Sequence, residues 1–346
     1  MLKIQCHQRL DDFELNVDLA INKFDILGVF GPSGSGKSSL LQAIAGLTTA
    51  QNVCINNHNI TRLKPDKRLL TLQLQSCPLF PHLNVMGNLL FTHTHCKNKS
   101  HNLTPDQVID LLALNPLLNR DVAGLSGGER QRVIFARTLL SGQSVVLLDE
   151  PFSALDWSTR FTMLAGVQQL NKSHGIKFII VSHSLKELLY CSDTLIHMAK
   201  GKVLKCGATQ DVVHSIYTNK SQTPLSVLSF SKSEFNDAFG LCKLTLSNSL
   251  QHVYAVPSLV KQSHRLIIES GQITYSKVKP SNQCSANVLI GMLENTQQLD
   301  EQWLLTVNVD TQLLYCAVSK RQWQQSNVQL GEQVYLTINN LETSHY

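Results

Sequence analysis

The first twenty residues of the chain alternate between apolar and polar positions. The apolar positions are Leu2, Ile4, Cys6, Phe13, Leu15, Val17 and Leu19. A period of two is typical of a strand that buries one face and exposes the other. The pattern therefore predicts a hairpin of half-buried antiparallel strands at the start of the chain.

Further along, continuous apolar runs alternate with helical patterns. The apolar runs, which indicate buried strands, are Phe24–Phe30, Ser144–Leu148 and Lys177–Val181; the helical stretches are Lys37–Ala45, which Gly46 ends, and Ser158–Asn171. Buried strands separated by helices predict a parallel sheet covered by helices, which is an α/β architecture. A longer and mostly helical region is expected over residues 78–140.

The pattern changes after about Phe230. Short β-rich segments separated by polar turns replace the long helical patterns, and they lie at His264–Ile268, Leu304–Val309, Leu313–Val318 and Gln333–Ile338. This spacing predicts a small β-barrel after the α/β domain, with domains at residues 1–229 and 230–346. The tail has no strong internal repeat, although its sequence is compatible with a weak one.

Composition and charge narrow the classes of function. The chain has 346 residues, with 30 Lys and Arg against 25 Asp and Glu, so its formal net charge is +5. No Lys/Arg stripe is interleaved with aromatics, and a nucleic-acid partner is therefore not expected. Nine scattered cysteines without a CxxC pair favour free thiols in a reducing cytoplasm. No apolar run approaches the roughly 18–20 residues that cross a bilayer, so we expect any membrane role to need a partner.

Residues 31–38 fit the pattern GxxxxGK[ST] between a predicted strand and a predicted helix. Glycines allow several backbone N–H groups of such a loop to point at phosphates, and the following helix adds its positive end. Lys37 supplies a charge to the β- and γ-phosphates, and the Ser38 hydroxyl is a ligand for Mg²⁺. The predicted nucleotide-binding residues of this phosphate loop are Gly31, Pro32, Ser33, Gly34, Ser35, Gly36, Lys37, Ser38 and Ser39.

Two adjacent acids, Asp149 and Glu150, end the buried strand that precedes them. Asp149 is placed to hold Mg²⁺ through its water shell, and Glu150 to polarise the water that attacks the γ-phosphate. An Asp-Glu pair at the end of a strand also fits a helix N-cap, so the pair alone leaves both interpretations open.

The sequence LSGGERQ at residues 125–131 removes that ambiguity. Ser126, Gly127 and Gly128 open a helix and form a second anion-binding helix start. Two such helix starts serve one nucleotide only if they meet face to face. The stretch, which includes Gln131, resembles the signature of the ABC ATPase family, in which the signature of one subunit closes on the ATP held by the phosphate loop of the other.

The remaining positions of that family occur here in its order. Gln75 resembles the Q-loop glutamine, Asp156 the D-loop residue that crosses to the partner's site, and His183 the switch histidine that contacts the γ-phosphate. The resemblance implies a RecA-like core, an antiparallel β subdomain and a helical subdomain. It also implies ATP and Mg²⁺ as cofactors, with Ser38, Gln75 and Asp149 as metal ligands and Glu150, His183, Gln75 and Lys37 as catalytic residues.

Along nearly its full length the chain resembles the ATPase subunits of molybdate importers, in residues 79–82, 87–89 and 181–184 and in the tail. Residues 284–291 resemble the opening of a molybdate-binding, OB-like β-barrel (MOP-type) module at 282–346. Cys284 and Ala286 replace the serine and the basic residue usual in that module, and Ser285 and Lys279 are candidate substitutes. We therefore expect a regulatory or dimer-stabilising tail, with molybdate binding left open.

The resemblance also implies partners and a location. It implies a homodimer of ATPase subunits, bound peripherally to integral membrane permease subunits at the cytoplasmic face of the cell membrane. A periplasmic or surface solute-binding protein is an indirect partner. The segment Pro78–Leu90 is the candidate contact with the permease, through Phe80 or Leu83, unless these two side chains pack in the core.

Other functions are compatible with parts of the sequence. Sulfate or another solute fits the ATPase motifs equally well, because other chains largely decide which solute is carried. A soluble ABC ATPase of DNA repair or translation needs a long coiled coil or a second cassette, and a GTPase needs an NKxD motif; none is evident.

Two smaller features stay open. His93, His95, Cys96 and His101 are potential metal ligands, but the polar residues 92–102 predict a solvated loop. ABC ATPases usually stack adenine on an aromatic residue before the phosphate loop. In residues 1–23 the only Phe, Tyr or Trp is Phe13, and its spacing fits poorly, so an aliphatic or histidine side chain is the alternative.

Overall fold

The computed structural model describes residues 1–10, 13–96, 99–217, 224–236, 240–260, 265–280, 287–299, 302–339 and 341. The chain divides into two compact units, Met1–Val212 and Val213–Tyr346. This division falls before the boundary at 229/230 expected from the sequence, which remains a prediction for the functional domains.

The first unit is built of strands and helices in alternation. Its strands are β1 (Leu2–Leu10), β2 (Phe13–Ile21), β3 (Ile26–Phe30), β4 (Asn52–Ile55), β5 (His58–Asn59), β6 (Leu70–Gln73), β7 (Val145–Asp149), β8 (Lys177–Val181), β9 (Thr194–Ala199) and β10 (Lys202–Ala208). Its helices are α1 (Lys37–Ala45), α2 (Val85–His95), α3 (Pro105–Leu111), α4 (Gly127–Leu139), α5 (Trp157–His174) and α6 (Leu185–Cys191), and α7 (Thr209–Tyr217) spans the division between the units.

The ten strands form one sheet in the order β5-β4-β1-β2-β10-β9-β3-β8-β7-β6. β3 pairs in parallel with β8 and β9, and β7 pairs in parallel with β6 and β8. β1 pairs antiparallel with β2 and β4. The predicted α/β fold and its antiparallel part are confirmed. Because β3, β7 and β8 are parallel, the segments that follow them emerge at one edge of the sheet, which is where ligands bind in such folds.

Periodicity explains why these elements form. Leu2, Ile4, Leu15 and Val17 are fully buried in one core with residues of α1, while their neighbours along β1 and β2 face outward. Burial of one such aliphatic side chain contributes about 1.5–3 kcal/mol relative to exposure. The hydrophobic alternation therefore fixes which face of the hairpin packs inward.

The predicted loop at residues 92–102 is wrong in its first part, because residues 92–95 form the last turn of α2. The buried residues of α2 are Val85, Asn88 and Leu89, which share one face of the helix. Polar residues on the exposed face of a helix produce the same local composition as a loop, and the sequence alone did not separate the two. No helix in the described ranges is both long and apolar enough to cross a membrane.

The second unit is mostly β. Its strands are β11 (Leu225–Asn236), β12 (Leu241–Leu246), β13 (His252–Ala255), β14 (Arg265–Glu269), β15 (Ile273–Ser276), β16 (Asn287–Leu299), β17 (Gln302–Val309), β18 (Gln312–Ser319) and β19 (Gln333–Ile338), with the short helices α8 (Pro257–Val260) and α9 (Lys320–Ser326). They form sheets in the orders β13-β12-β11-β14 and β15-β19-β16-β17-β18. Both sheets contribute to one hydrophobic core, and the predicted C-terminal β domain is confirmed.

The two halves of this unit repeat one arrangement. β11 pairs with β12 and β14, just as β16 pairs with β17 and β19. The Gln251 side chain exchanges hydrogen bonds with the backbone N–H and C=O of Ile290, and Gln312 does the same with Ser229. The tail therefore contains an internal repeat in topology and in junction contacts, where the sequence indicated no strong one.

Of residues 284–291, which resemble the opening of the molybdate-binding module, the structure describes 287–291. Cys284, Ser285 and Ala286 lie outside the described residues. Asn287 begins β16, and its side-chain amide exchanges hydrogen bonds with the backbone of Tyr254. In this structure Asn287 therefore joins two strands of the second unit.

Candidate functional site

The phosphate loop connects β3 to α1, with Ser38 and Ser39 already in the first turn of the helix. Gly34 and Gly36 have positive φ angles of 74° and 95°, a conformation that favours glycine. A Cβ on Gly31 would lie 2.3 Å from the Met198 carbonyl oxygen, so only glycine fits there. The Lys37 ammonium donates hydrogen bonds to the carbonyls of Gly31 and Pro32, each at 2.9 Å. The loop is thus curled around its own lysine.

Two carboxylates balance the charge of Lys37. Burial lowers the pKa of Lys37, while the nearby charges of Glu150 and Asp149 act in the opposite direction. Burial raises the pKa of Asp149, and a hydrogen bond from the Ser38 hydroxyl counters that effect. Lys37, Ser38, Asp149 and Glu150 therefore lie together where β3 and β7 end.

Three predicted residues converge on one carboxylate oxygen. Oε2 of Glu150 lies 3.4 Å from the Gln75 side-chain Nε2, which donates to it, and 3.4 Å from Nδ1 of His183. Glu150 has a φ of 46°, in the left-handed region, and its backbone N–H donates to the Val181 carbonyl. Strain of this kind in a non-glycine residue is common at functional sites. The Gln75, Glu150 and His183 side chains are brought together from three separate parts of the chain.

The signature residues open α4 as predicted. Ser126 is the N-cap: its hydroxyl accepts from the Glu129 N–H, and the Glu129 carboxylate accepts from the Ser126 N–H. These hydrogen bonds lower the pKa of Glu129. A Cβ on Gly128 would lie 3.0 Å from the Leu155 side chain. The start of α4 therefore packs directly on the loop that follows Glu150.

Gln131 and Asp156 make hydrogen bonds within the chain. The Gln131 side chain donates to the Ser153 hydroxyl at 3.1 Å and accepts from the Ala154 N–H at 2.9 Å. Asp156 is the N-cap of α5, and its carboxylate accepts from both the N–H and the hydroxyl of Thr159. These hydrogen bonds lower the pKa of Asp156. Residues 153–156, here called the D-loop segment, are thus tied to α4 and to α5.

Phe13 lies beside the phosphate loop. A Cβ on Gly36 would meet the ring of Phe13 at 2.7 Å, and one on Gly201 would meet it at 3.1 Å. The ring is half-buried between these two glycines, whose missing side chains make room for it. The poor sequence spacing therefore does not keep Phe13 away from the phosphate loop.

Other side chains around the site are not evident from the sequence. The largely enclosed Arg160 donates to Glu187 at 2.7 Å, and Glu187 accepts from the Ser182 hydroxyl, next to His183. Arg137, on α4, donates to the Pro78 carbonyl at 2.8 Å and lies over the Phe80 ring. No local motif marks these residues, because their partners are distant in sequence.

The potential metal ligands of the helical region do not assemble. His93 lies against the Lys99 ammonium, 3.1 Å from Nζ, and the His95 ring bonds to the Phe91 carbonyl in the preceding turn. Within the described residues no group of three or more His, Cys, Asp and Glu side chains could hold a metal ion. His93 and His95 lie on a helix rather than in the predicted loop, and the interpretation of these residues as solvated surface stays a prediction.

Comparison with known proteins identifies the family. The model of the ABC transporter family matches residues 15–153. The molybdenum import ATP-binding protein ModC of Haemophilus ducreyi is 31% identical over 353 residues, which cover 99% of both chains. This chain belongs to the ABC transporter family. ModC of Haemophilus influenzae is 29% identical over 355 residues, with 98% of each chain covered.

Solved structures of ABC cassettes share the fold of about three-fifths of this chain. The dimeric structure of MJ0796, a bacterial ABC transporter cassette, aligns with a TM-score of 0.52 at 23% identity and covers 60% of this chain and 99% of that one. The ADP conformation of the ABC transporter cassette MJ1267 aligns with a TM-score of 0.53 at 25% identity, covering 63% of this chain and 98% of that one. As a member of the family, the chain is an ATP-binding ATPase.

Proposed function

We propose that this ABC ATPase powers an importer of molybdate. The convergence of Gln75 and His183 on Glu150, beside Lys37 and Asp149, supports the hydrolytic role. The resemblance to ModC proteins over 99% of the chain, including the second unit, supports molybdate as the solute. Tungstate is the nearest alternative solute, and sulfate is a more distant one.

Catalysis in this proposal consists of positioning and charge neutralisation. Lys37 and the backbone N–H groups of the phosphate loop bind the β- and γ-phosphates. Glu150 accepts a proton from the attacking water, and Gln75 and His183 orient its carboxylate and contact the γ-phosphate. The left-handed backbone of Glu150 turns its side chain toward the end of β8, where His183 begins the next segment.

Magnesium fits the oxygen-rich side of the same site. The Ser38 hydroxyl donates a hydrogen bond to the Asp149 carboxylate, and Gln75, whose Nε2 donates to Glu150, also carries an amide oxygen. Hydroxyl, carboxylate and amide oxygens are the donors that Mg²⁺ prefers. When bound with ATP, the ion would neutralise phosphate charge, and Ser38, Gln75 and Asp149 are the side chains that would hold it.

A second copy of the chain completes the ATP site in this proposal. Ser126, Gly127 and Gly128 present a helix start with backbone N–H groups suited to a phosphate, and the capping box keeps that helix start ordered. Following the resemblance to the ABC signature, we assign these three residues to the ATP of the partner subunit. We assign Asp156, at the end of the D-loop segment, to the same interface, as its resemblance to the family's D-loop residue implies.

In this proposal the membrane partner is a permease, and the chain binds to it as a peripheral subunit at the cytoplasmic face of the membrane. The contact segment Pro78–Leu90 follows Gln75, and Arg137 ties it to α4 through Pro78 and Phe80. Phe80 is half-buried against Phe91, with ring centroids 4.8 Å apart, and Leu90 and Phe91 are each 43% exposed. We therefore extend the proposed contact surface from Pro78 through Phe91.

The solute is tested by reconstituting the full chain with its permease and solute-binding protein in lipid vesicles. Molybdate-loaded binding protein is expected to raise the rate of ATP hydrolysis several-fold, and sulfate at the same concentration is expected to leave it unchanged. Stimulation by sulfate alone would transfer the proposal to a sulfate importer.

In parallel, molybdate is titrated into the full chain by calorimetry, because Cys284 and Ala286 remove two usual anion-binding groups of the module.

Phe13→Ala is predicted to weaken ATP binding with little change in kcat. Stacking of a base on an aromatic side chain contributes about 1–3 kcal/mol, so KM for ATP should rise by roughly 5–150-fold. Phe13→Trp is the matched control, because it retains a ring and should retain most of the affinity. Unchanged affinity for ATP in Phe13→Ala would assign the ring to packing against Gly36 and Gly201 alone.

A further inference from the structure

A buried ion pair lies between α5 and α6, outside the residues to which a role has been assigned so far. Arg160 and Glu187 are joined at 2.7 Å, and their side chains are only 13% and 8% exposed. Two charges this deeply enclosed need further hydrogen bonds, because their mutual attraction alone rarely offsets the cost of leaving water. The partners of their remaining atoms therefore indicate what the pair holds in place.

On the arginine side, the partners belong to the D-loop segment. The second arm of the Arg160 guanidinium donates to the carbonyls of Ser153 and Leu155, at 3.0 Å and 2.9 Å. The planar fork of arginine suits this arrangement, because one arm meets the carboxylate while the other meets backbone oxygens. Arg160 thus fixes the backbone of the D-loop segment from inside, while Gln131 holds the same segment from α4.

On the glutamate side, the partners flank His183. The second carboxylate oxygen of Glu187 accepts from the Ser182 hydroxyl at 2.7 Å, and that hydroxyl accepts from the Ser184 N–H at 3.0 Å. Ser182 is 2% exposed and lies at the end of β8. The residues on both sides of His183 are therefore fixed through Glu187, while the His183 ring itself reaches Glu150.

We propose that Arg160 and Glu187 are positioning residues that couple the D-loop segment to His183. This inference rests on the proposed function, in which the D-loop segment meets the partner subunit and His183 contacts the γ-phosphate. A shift of the D-loop carbonyls moves Arg160, and through Glu187 and Ser182 it moves the backbone that carries His183. The arrival of the partner subunit at the D-loop segment can thereby set the position of His183.

Arg160→Lys tests this coupling in the full chain. Lysine keeps the positive charge beside Glu187 but lacks the fork that reaches the D-loop carbonyls at the same time. We expect kcat for ATP hydrolysis to fall roughly tenfold, as it does when a group that orients a reactive side chain is lost, while KM for ATP changes less than about twofold. Arg132→Lys is the matched control: Arg132 donates to the carbonyls of Leu112 and Ala113, away from the D-loop segment, and its kcat should stay unchanged.

Double variants distinguish a purely structural role of Arg160 and Glu187 from coupling to His183. Each substitution is therefore combined with His183→Ala. If Arg160 acts through His183, Arg160→Lys should alter the single-turnover rate less than about twofold once His183 is gone, because coupled residues are not additive. Glu187→Gln, which keeps the shape of the side chain, should show the same loss in the wild-type background and the same lack of effect without His183. If Arg160→Lys fails to fold, Glu187→Gln tests the coupling in its place.

The remaining outcomes distinguish failure of the coupling from failure of the proposed function. An undiminished tenfold loss in the His183→Ala background, or an equal loss in Arg132→Lys, overturns the coupling and leaves the proposed function intact. Wild-type kcat in both Arg160→Lys and Glu187→Gln also overturns it. A normal hydrolysis rate in His183→Ala alone would remove the assigned role of His183, and with it both the proposed site and the coupling.

Discussion

Glu150→Gln is expected to hydrolyse ATP at least about 100-fold more slowly than the wild type while still binding it, because the amide cannot accept a proton from water. The substitution keeps the shape of the side chain, so Gln75 and His183 retain a neighbour at the position of Oε2. With hydrolysis blocked, ATP should remain between two copies of the chain, and the protein should elute as a dimer when ATP and Mg²⁺ are present.

Steady-state ATPase assays and size-exclusion chromatography with light scattering measure both effects. Glu14→Gln is the matched control, since Glu14 is an exposed glutamate on β2, and it should hydrolyse ATP normally. A Glu150→Gln protein that stays monomeric with ATP, or that turns over at the wild-type rate, would contradict the role of Glu150.

Lys37→Ala should lose most of its affinity for ATP. Lys37 is 7% exposed, inside a loop whose carbonyls it already bonds, and the substitution removes a buried positive charge that charge-assisted hydrogen bonds to phosphate would use. A loss of about 3 kcal/mol corresponds to a dissociation constant roughly 100-fold higher. Fluorescence titration with a labelled ATP analogue measures it.

The matched control for that substitution is Lys67→Ala. Lys67 is a surface lysine whose ammonium pairs with its neighbour Asp66, with both side chains about two-thirds exposed. Such a pair contributes roughly 0–1 kcal/mol to stability, so binding should be unaffected. Normal ATP affinity in Lys37→Ala would count against the assignment of the phosphate loop.

Local signals in the sequence were sufficient for the elements that carry the site. The bounds of α1 and β8 agree with the expected Lys37–Ala45 and Lys177–Val181, because a glycine ends the helix and a continuous apolar run marks a strand buried in the sheet. The strand before Glu150 spans Val145–Asp149, one residue later than the predicted Ser144–Leu148. Motif order then predicted which of these elements would meet at one edge of the sheet.

Contacts between residues that are distant in the chain could not be predicted from the sequence. The pairing of Arg160 with Glu187 joins two helices through charges that no motif distinguishes from surface residues. Gln131 was expected at the nucleotide, yet its side chain also fixes Ser153 and Ala154, a contact that depends on how α4 packs. The repeat in the second unit was hidden because its halves share strand order rather than residues. The ion pair, the contacts of Gln131 and the repeat all depend on tertiary packing, which local sequence patterns do not encode.

Uptake of radiolabelled molybdate by whole cells tests the central claim most directly. Cells that lack the gene for this chain receive either the wild-type chain or Glu150→Gln at equal abundance. The account predicts that the wild-type chain restores uptake, that Glu150→Gln does not, and that excess tungstate competes while sulfate does not. Equal uptake with and without the wild-type chain would contradict a role in molybdate import.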